Sequence, residues 1–315
     1  MRTPLAALAA ALAVSLVACS SAQPSEPLHL PPTNQLPKST TSHAVVVVME
    51  NKSYEEIVNS EDTTYFRSLA RRYALPKHMF GIRHPSLPNY LALIGGDTFG
   101  VTGNCSSCHV KARSLPDQLE VAGFTWRAYM EGMPERCFKG AEHGLYAKKH
   151  NPFMYFDAIR NNAARCANVV PYRRLGSDLR KGRLPDFAFI TPDLCNDTHD
   201  CSLATGDHHL QQIVPPLLRE LGPRGLLFVT YDEGADDRGC CGTARGGRMA
   251  TVLAGPDVRK AATAPGSRYS HYSILRTIEE AFGLPLLRKA GHPETRAMGA
   301  LLKRSHRGAL RRQAR

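Results

Sequence analysis

The chain is short of acid: 40 lysines and arginines face 28 aspartates and glutamates, a formal net charge of +12. Half of that excess lies in residues 303–315, which hold six Lys/Arg and no Asp/Glu. Such an end reads as a solvated basic tail, or as a weak attraction to anionic lipid or polyanionic wall polymer. Basic residues interleaved with aromatics are missing, as is any nucleic-acid-binding fold motif, which excludes a specific nucleic-acid partner. The apolar stretch 5–17 is too short to remain in a bilayer as a permanent span. The glycine-rich stretch 236–248 matches no phosphate-loop motif; it reads as a flexible lid or, failing that, a phosphate-cradling nest. One Cys-x-x-Cys, Cys105 to Cys108, is only half of a zinc cluster, and the adjacent Cys240 and Cys241 are poor candidates for the other half.

What is present permits a full globular core, since 43% of the 315 residues are hydrophobic. The segment Leu16-Val17-Ala18-Cys19-Ser20 resembles the lipobox of bacterial lipoproteins. That resemblance implies a signal peptide over 1–18, export, and a lipid on Cys19 that holds the protein to a membrane. Residues 19–42 are rich in Ser, Thr and Pro and read as an extended tether. Residues 43–300 form the globular domain, and 301–315 the basic tail. Eight cysteines remain besides Cys19, an even number that favours disulfides in an exported chain. Cys195 and Cys201 are close enough to staple the loop between them, and the other pairings stay open.

The domain is organised around Ala44-Val45-Val46-Val47-Val48-Met49. Its consecutive valines suit a strand buried on both faces in a parallel sheet. Glu50 and Asn51 follow where that strand leaves the core. Two other apolar runs end alike, Phe187-Ala188-Phe189-Ile190 before Asp193 and Leu226-Leu227-Phe228-Val229-Thr230 before Asp232 and Glu233. In open α/β sheets ligands bind beyond the carboxyl ends of the strands, so three strands deliver oxygen ligands to one rim. A single acidic strand end would mean only a solvated loop start.

Further elements follow in order. A helix is predicted over 65–73, ended by Pro76, and another behind His84-Pro85-Ser86-Leu87-Pro88-Asn89-Tyr90. Local sequence alone favours Ser86 as the cap of that helix; the alternative places its hydroxyl where a phosphate would sit. Aromatic and methionine residues between 124 and 155 read as core and a cover over the site, or as a wall for an apolar leaving group. A strand is predicted over 250–254 and an amphipathic helix over 273–282, ended by Gly283 and Pro285.

Met49-Glu50-Asn51-Lys52-Ser53-Tyr54, the His84-to-Tyr90 motif and Tyr231-Asp232-Glu233-Gly234 together resemble the bacterial phosphoesterase family of acid phosphatases and phosphatidylcholine-type phospholipases C. The likeness runs over about residues 43–287. It implies an α/β, alkaline phosphatase-like fold, with a mostly parallel central sheet and helices on both faces. It implies that Glu50, Asn51, Ser86, Asp232 and Glu233 hold one divalent cation, that Ser86 is the nucleophile, and that His150 and His199 contact phosphate. Carboxylate and amide oxygens suit Mg²⁺, Ca²⁺ or Mn²⁺ better than Zn²⁺. The expected activity is hydrolysis of phosphomonoesters through a phosphoserine; cleavage of lipid phosphodiesters and phosphate binding without turnover are the alternatives. His84 would orient the serine loop. Asp97 and His271 receive no catalytic role, and His208 and His209 read as loop or supporting residues.

Overall fold

The computed structural model describes residues 42–303; the expected signal peptide over 1–18, Cys19, most of the expected tether and most of the basic tail lie outside them. Six strands form the central sheet. They are β1 (Ala44–Met49), β2 (Trp126–Met130), β3 (Val169–Pro171), β4 (Phe187–Thr191), β5 (Leu226–Tyr231) and β6 (Thr251–Ala254). Their order across the sheet is β3-β2-β4-β1-β5-β6, with every pairing parallel except β5 to β6. The fold is therefore α/β with a mostly parallel sheet, as the valine run predicts.

Strand β1 stands in the interior of the sheet, and all six of its residues are buried. Successive side chains point to opposite faces, so burial of every one means that both faces are covered. The helices around the sheet include α1 (Thr64–Arg72), α2 (Leu87–Gly95), α3 (Leu203–Glu220) and α4 (His271–Phe282). Helices α1 and α3 pack together, as do α2 and α4. Asp207 in α3 joins the first pair by accepting the Tyr65 and Phe66 amides at 2.7 and 2.8 Å. Those donors belong to the first turn of α1, which has no side-chain cap of its own.

Register decides what happens at the rim. Met49 pairs with Tyr231 across β1 and β5, so Glu50 and Asp232 leave the two strands side by side. The Asp232 amide continues the ladder by donating to the Met49 carbonyl at 2.9 Å. Asn51 then takes a positive φ of 56°, a left-handed turn that asparagine tolerates better than most residues. Its amide donates to Asp232 Oδ1 at 2.9 Å, fixing that carboxyl against the turn.

The aromatic stretch resolves largely into core. Trp126 stacks on Phe153 with ring centres 5.3 Å apart, and Tyr129, Met130 and Tyr155 are buried. Four cysteine pairs are joined: Cys105–Cys108, Cys137–Cys166, Cys195–Cys201 and Cys240–Cys241. The first and last are separate disulfides, so they do not combine into a zinc cluster. No helix among the described residues is long and apolar enough to cross a membrane.

Candidate active site at the strand ends

Ser86 occupies the N-terminal cap position of α2, yet its side chain makes no capping hydrogen bond. The hydroxyl instead donates to Glu50 Oε2 at 3.0 Å. This corrects the local expectation of a capping serine. A partner 36 residues away in sequence outcompetes the helix, whose start is served otherwise. Asn104 accepts the Leu87 amide at 3.0 Å, and Pro88 has no amide to offer. Ser86 is only 2% exposed, so the hydroxyl is held in a buried polar site.

Glu50 is the hub. Besides Ser86, Tyr90 donates to its Oε1 at 2.5 Å, and His150 Nε2 lies 3.2 Å from its Oε2. Burial acts to raise the Glu50 pKa, but the charge and hydrogen bonding of His150 outweigh it and leave the group below the ordinary carboxylate range. His150 is held from both sides, its Nδ1 lying 3.4 Å from Asp197 Oδ2. Burial would lower its pKa, yet Glu50 and Asp197 raise it to about 9. Asp197 is pushed up to about 6, by burial above all.

The other acids behave differently. Asp232 is fully buried, and burial with the charges of Glu50 and Glu233 drives its pKa well above the usual value. Its Oδ2 has no hydrogen-bond partner among the described residues. Glu233 is raised to about 6, mainly by burial, against the pull of His84. Asn89 donates to Glu233 Oε2 at 3.1 Å, and His84 Nδ1 approaches the same oxygen at 3.2 Å. His84 thus ties the serine loop to the loop after β5, in keeping with its expected positioning role.

The structure brings Glu50, Ser86, Asp232, Glu233 and His150 into one connected cluster, with Asn51 tied in through its backbone. His199 stands at the edge, its ring centre 5.8 Å from that of His150. Lys149 Nζ lies 3.0 Å from its Nε2, and Asp200 Oδ1 2.5 Å from its Nδ1. Glu50, His150 and His199 each present a donor atom within 4.8 Å of the others, a second possible cation grouping that also uses Glu50.

The donor set fits a divalent cation. A buried Asp232 oxygen without a partner, beside two further carboxyl groups, is an arrangement that a positive charge relieves and that protons otherwise must.

Three contributors escape a reading of the sequence. Asn89 and Tyr90 stand three and four residues after Ser86, the spacing that puts helix residues on one face, and that spacing was the available signal. Asn89 also accepts the Ile82 amide at 2.7 Å and donates to the Arg83 carbonyl at 2.6 Å, so it shapes the whole serine loop. Asp197 lies between Cys195 and Cys201, and nothing local distinguishes it from its neighbours. His271 is buried beneath the site, its Nε2 2.5 Å from the Asp232 carbonyl, and Asp97 pairs with Lys289 at 3.0 Å. His209 is buried against Tyr172 at 3.1 Å, while His208 is exposed beside Gln212.

Residues 236–248 are not a loose flap. The Gly234 amide donates to the Gly246 carbonyl, the Gly246 amide to the Gly81 carbonyl and the Gly81 amide to the Gly247 carbonyl, and a Cβ on Gly81 would come within 2.5 Å of the Gly246 carbonyl. Arg248 stacks over Tyr54 at 3.7 Å and pairs with Glu55 at 2.6 Å.

Known proteins share this arrangement of sequence and fold. The model of the Phosphoesterase family matches residues 58–285, a span that includes Ser86, Asp232 and Glu233 and begins after Glu50 and Asn51. A Mycobacterium tuberculosis protein named phosphatidylinositol-3-phosphatase is 34% identical over 253 residues, 78% of either chain. An Aspergillus fumigatus acid phosphatase is 30% identical over 255 residues, 76% of this chain and 55% of that one. A phosphate-repressible acid phosphatase of Penicillium chrysogenum is 29% identical over 77% of this chain and 59% of its own. The chain thus spans less than two thirds of these fungal relatives. Among solved structures, a protein of the alkaline phosphatase superfamily from Vibrio parahaemolyticus aligns with a TM-score of 0.55 at 12% identity, covering 87% of this chain and 76% of that one. Murine ectonucleotide pyrophosphatase/phosphodiesterase 5 aligns at 0.53, also at 12% identity, over 83% of this chain and 100% of its own. These two likenesses concern the fold.

Proposed function

The chain belongs to the Phosphoesterase family and is a phosphoric ester hydrolase, and from that premise we propose an acid phosphatase that works on phosphomonoesters through Ser86. The observation that carries this reading is the Ser86 hydroxyl turned away from its helix and onto Glu50. A serine hydroxyl is a poor nucleophile unless its proton is drawn off or its oxygen stabilised. In the first step the Ser86 oxygen bonds to phosphorus, the bond from phosphorus to the leaving alcohol breaks, and the hydroxyl proton passes to a neighbouring base. His150 and His199 face the phosphoryl oxygens, and one of them returns a proton to the departing alcohol. Water then attacks phosphorus, the bond to the Ser86 oxygen breaks, and inorganic phosphate leaves with the hydroxyl restored.

Glu50, Asn51, Ser86, Asp232 and Glu233 would hold one divalent cation, and their oxygen donors suit Mg²⁺, Ca²⁺ or Mn²⁺. Such an ion, when bound, stabilises the serine alkoxide and neutralises charge on the phosphate. Tyr90 and Asn89 fix two of those carboxylates, so the cluster is ordered before substrate arrives.

Hydrolysis of lipid phosphoesters is the second reading; the name of the Mycobacterium tuberculosis relative favours its phosphomonoester form, and phosphatidylcholine tests the phosphodiester form. Export with a lipid on Cys19 accompanies it: four joined cysteine pairs fit an oxidising compartment, and a lipid would keep membrane substrates within reach. The test is turnover of p-nitrophenyl phosphate and of phosphatidylcholine by wild type and Ser86→Ala, with circular dichroism confirming the fold. Loss of monoesterase activity in the variant is expected. Undiminished activity would remove Ser86 from its role, and turnover of the phospholipid alone would move the enzyme to the diesterase class.

A further inference from the structure

Next to the strand-end cluster lies a cleft of about 420 Å³, whose walls include Arg83, His84, Thr98, Asp237, Arg245 and Lys289. It has room for on the order of ten waters, or for a phosphate group with part of its hydration, at about 30 Å³ per water. His84 belongs to both places: its Nδ1 touches Glu233, while its ring also forms a wall of the cleft. We propose that this cleft is a subsite for a second phosphate group of the substrate, so that the enzyme prefers a phosphomonoester whose alcohol carries another phosphate. This inference rests on the phosphomonoesterase reading above and names its substrate class.

Charge is the first argument. Three permanent cations line the cleft against one carboxylate, Asp237, whose side chain is almost wholly in solvent 3.9 Å from His84 Nε2. Lys289 is engaged with Asp97 at 3.0 Å. The guanidinium groups of Arg83 and Arg245 have no hydrogen-bond or ion-pair partner among the described residues, although both stand at one opening. Two unengaged guanidinium groups lining one hollow supply the planar N–H donors that bind phosphate in pairs.

Placement is the second argument. Arg83 precedes Ser86 by three residues, and its backbone is clamped by Asn89, which accepts the Arg83 amide at 3.1 Å and donates to its carbonyl at 2.6 Å. The Arg245 amide donates to the Ile82 carbonyl at 2.9 Å, so the two arginines project from paired backbone segments. The same Asn89 holds Glu233. One asparagine therefore sets the distance between the reacting phosphate and the second one. Long side chains on a fixed backbone lose less entropy on binding than side chains on a mobile loop.

Two sources offer this chemistry, a soluble polyol bisphosphate and a lipid headgroup with a phosphomonoester and a phosphodiester on one ring. The experiment measures kcat/KM for inositol 1,3-bisphosphate, inositol 3-phosphate and short-chain phosphatidylinositol 3-phosphate, using wild type and the double variant Arg83→Gln/Arg245→Gln. Wild type is expected to prefer the bisphosphate or the lipid over the monophosphate by about ten-fold, mostly in KM. The double variant is expected to lose that preference, and Asp237→Asn to increase it. Whichever substrate with two phosphate groups shows the effect identifies the source. Equal kcat/KM for all three in wild type, or a preference that survives loss of both arginines, overturns the subsite. Should no phosphomonoester turn over with any metal supplied, the parent reading fails, and calorimetric binding decides the cleft separately. Tighter binding of the bisphosphate than of inositol 3-phosphate, abolished in the double variant, would still establish it; equal binding would end it.

Discussion

At the mouth of the sheet, Glu50, Asp232 and Glu233 are buried together, whereas in helix α4 Glu279 is buried by itself. The lone acid has a simple solution. Burial raises Glu279 to about 8, and its Oε2 and the nearby Gln118 Oε1 both lack a hydrogen-bond partner, as two acceptors would when one needs the other's proton. Its Oε1 meanwhile accepts the Leu287 amide at 2.9 Å, which secures the chain beyond Gly283. A proton satisfies that site. At the mouth a single proton cannot do so: Glu50 is kept ionised by His150, while Asp232 is forced the other way by burial together with its acidic neighbours. The difference separates a carboxyl that serves the fold from carboxyls that await a positive partner. A strongly shifted acid is a functional signal only when the cause includes specific charged groups.

The largest expected effect comes from making the mouth resemble the helix. Asp232→Asn takes away a carboxyl that can ionise for a cation, with almost no change of shape. It should lower kcat by about a hundred-fold or more and abolish the thermal stabilisation that wild type gains from added Mg²⁺, Mn²⁺ or Ca²⁺ after chelation. An Asp232→Asn protein with wild-type turnover and an intact cation-dependent melting shift would place the ion elsewhere. That outcome would favour the grouping of Glu50, His150 and His199, which His199→Ala would then disable.

A smaller effect is expected from loosening the mouth without altering its charge. Tyr90→Phe deletes the hydroxyl that donates to Glu50 Oε1. Hydrogen bonds to charged groups contribute about 1.5–3 kcal/mol, so kcat/KM should fall by roughly ten- to a hundred-fold, with some loss of melting temperature because Glu50 Oε1 is left buried without its donor. Loss of stability with unchanged kinetics would make Tyr90 a packing residue only.

The smallest effect concerns the lone acid, read as stability against pH. A group whose folded pKa lies above its unfolded value of 4.5 favours the native state most at pH below 4.5, and that contribution is lost as pH rises toward about 8. Glu279→Gln should remove this decline, so variant and wild type should diverge between pH 5 and 8, by at most about 1.4 kcal/mol per pH unit. Parallel denaturation curves across that range would show that Glu279 is not held as the acid.

The parallel sheet was readable because a strand buried on both faces admits little besides apolar residues, many of them branched, and four of the six residues of β1 are valine. Its acids were readable because they follow such runs directly. The role of Ser86 was less accessible: a serine before a proline-containing helix start looks like a cap, and only Glu50, brought close by the fold, draws it away. Asn89 and Tyr90 were hidden by their own helix, where polar groups facing inward carry the same letters as polar groups facing out. Residues 236–248 misled for another reason. Glycine marks flexible loops and close backbone crossings alike, and here Gly81, Gly234, Gly246 and Gly247 make a crossing.

The pairing of Met49 with Tyr231 has a consequence for how such an enzyme can diverge. Side chains alternate along a strand, so an insertion or deletion of one residue within β1 would turn its terminal acid toward the opposite side of the sheet. Connections between strands can lengthen or shorten without that penalty. Descendants of this chain can exchange their surroundings freely, provided that two strands keep count.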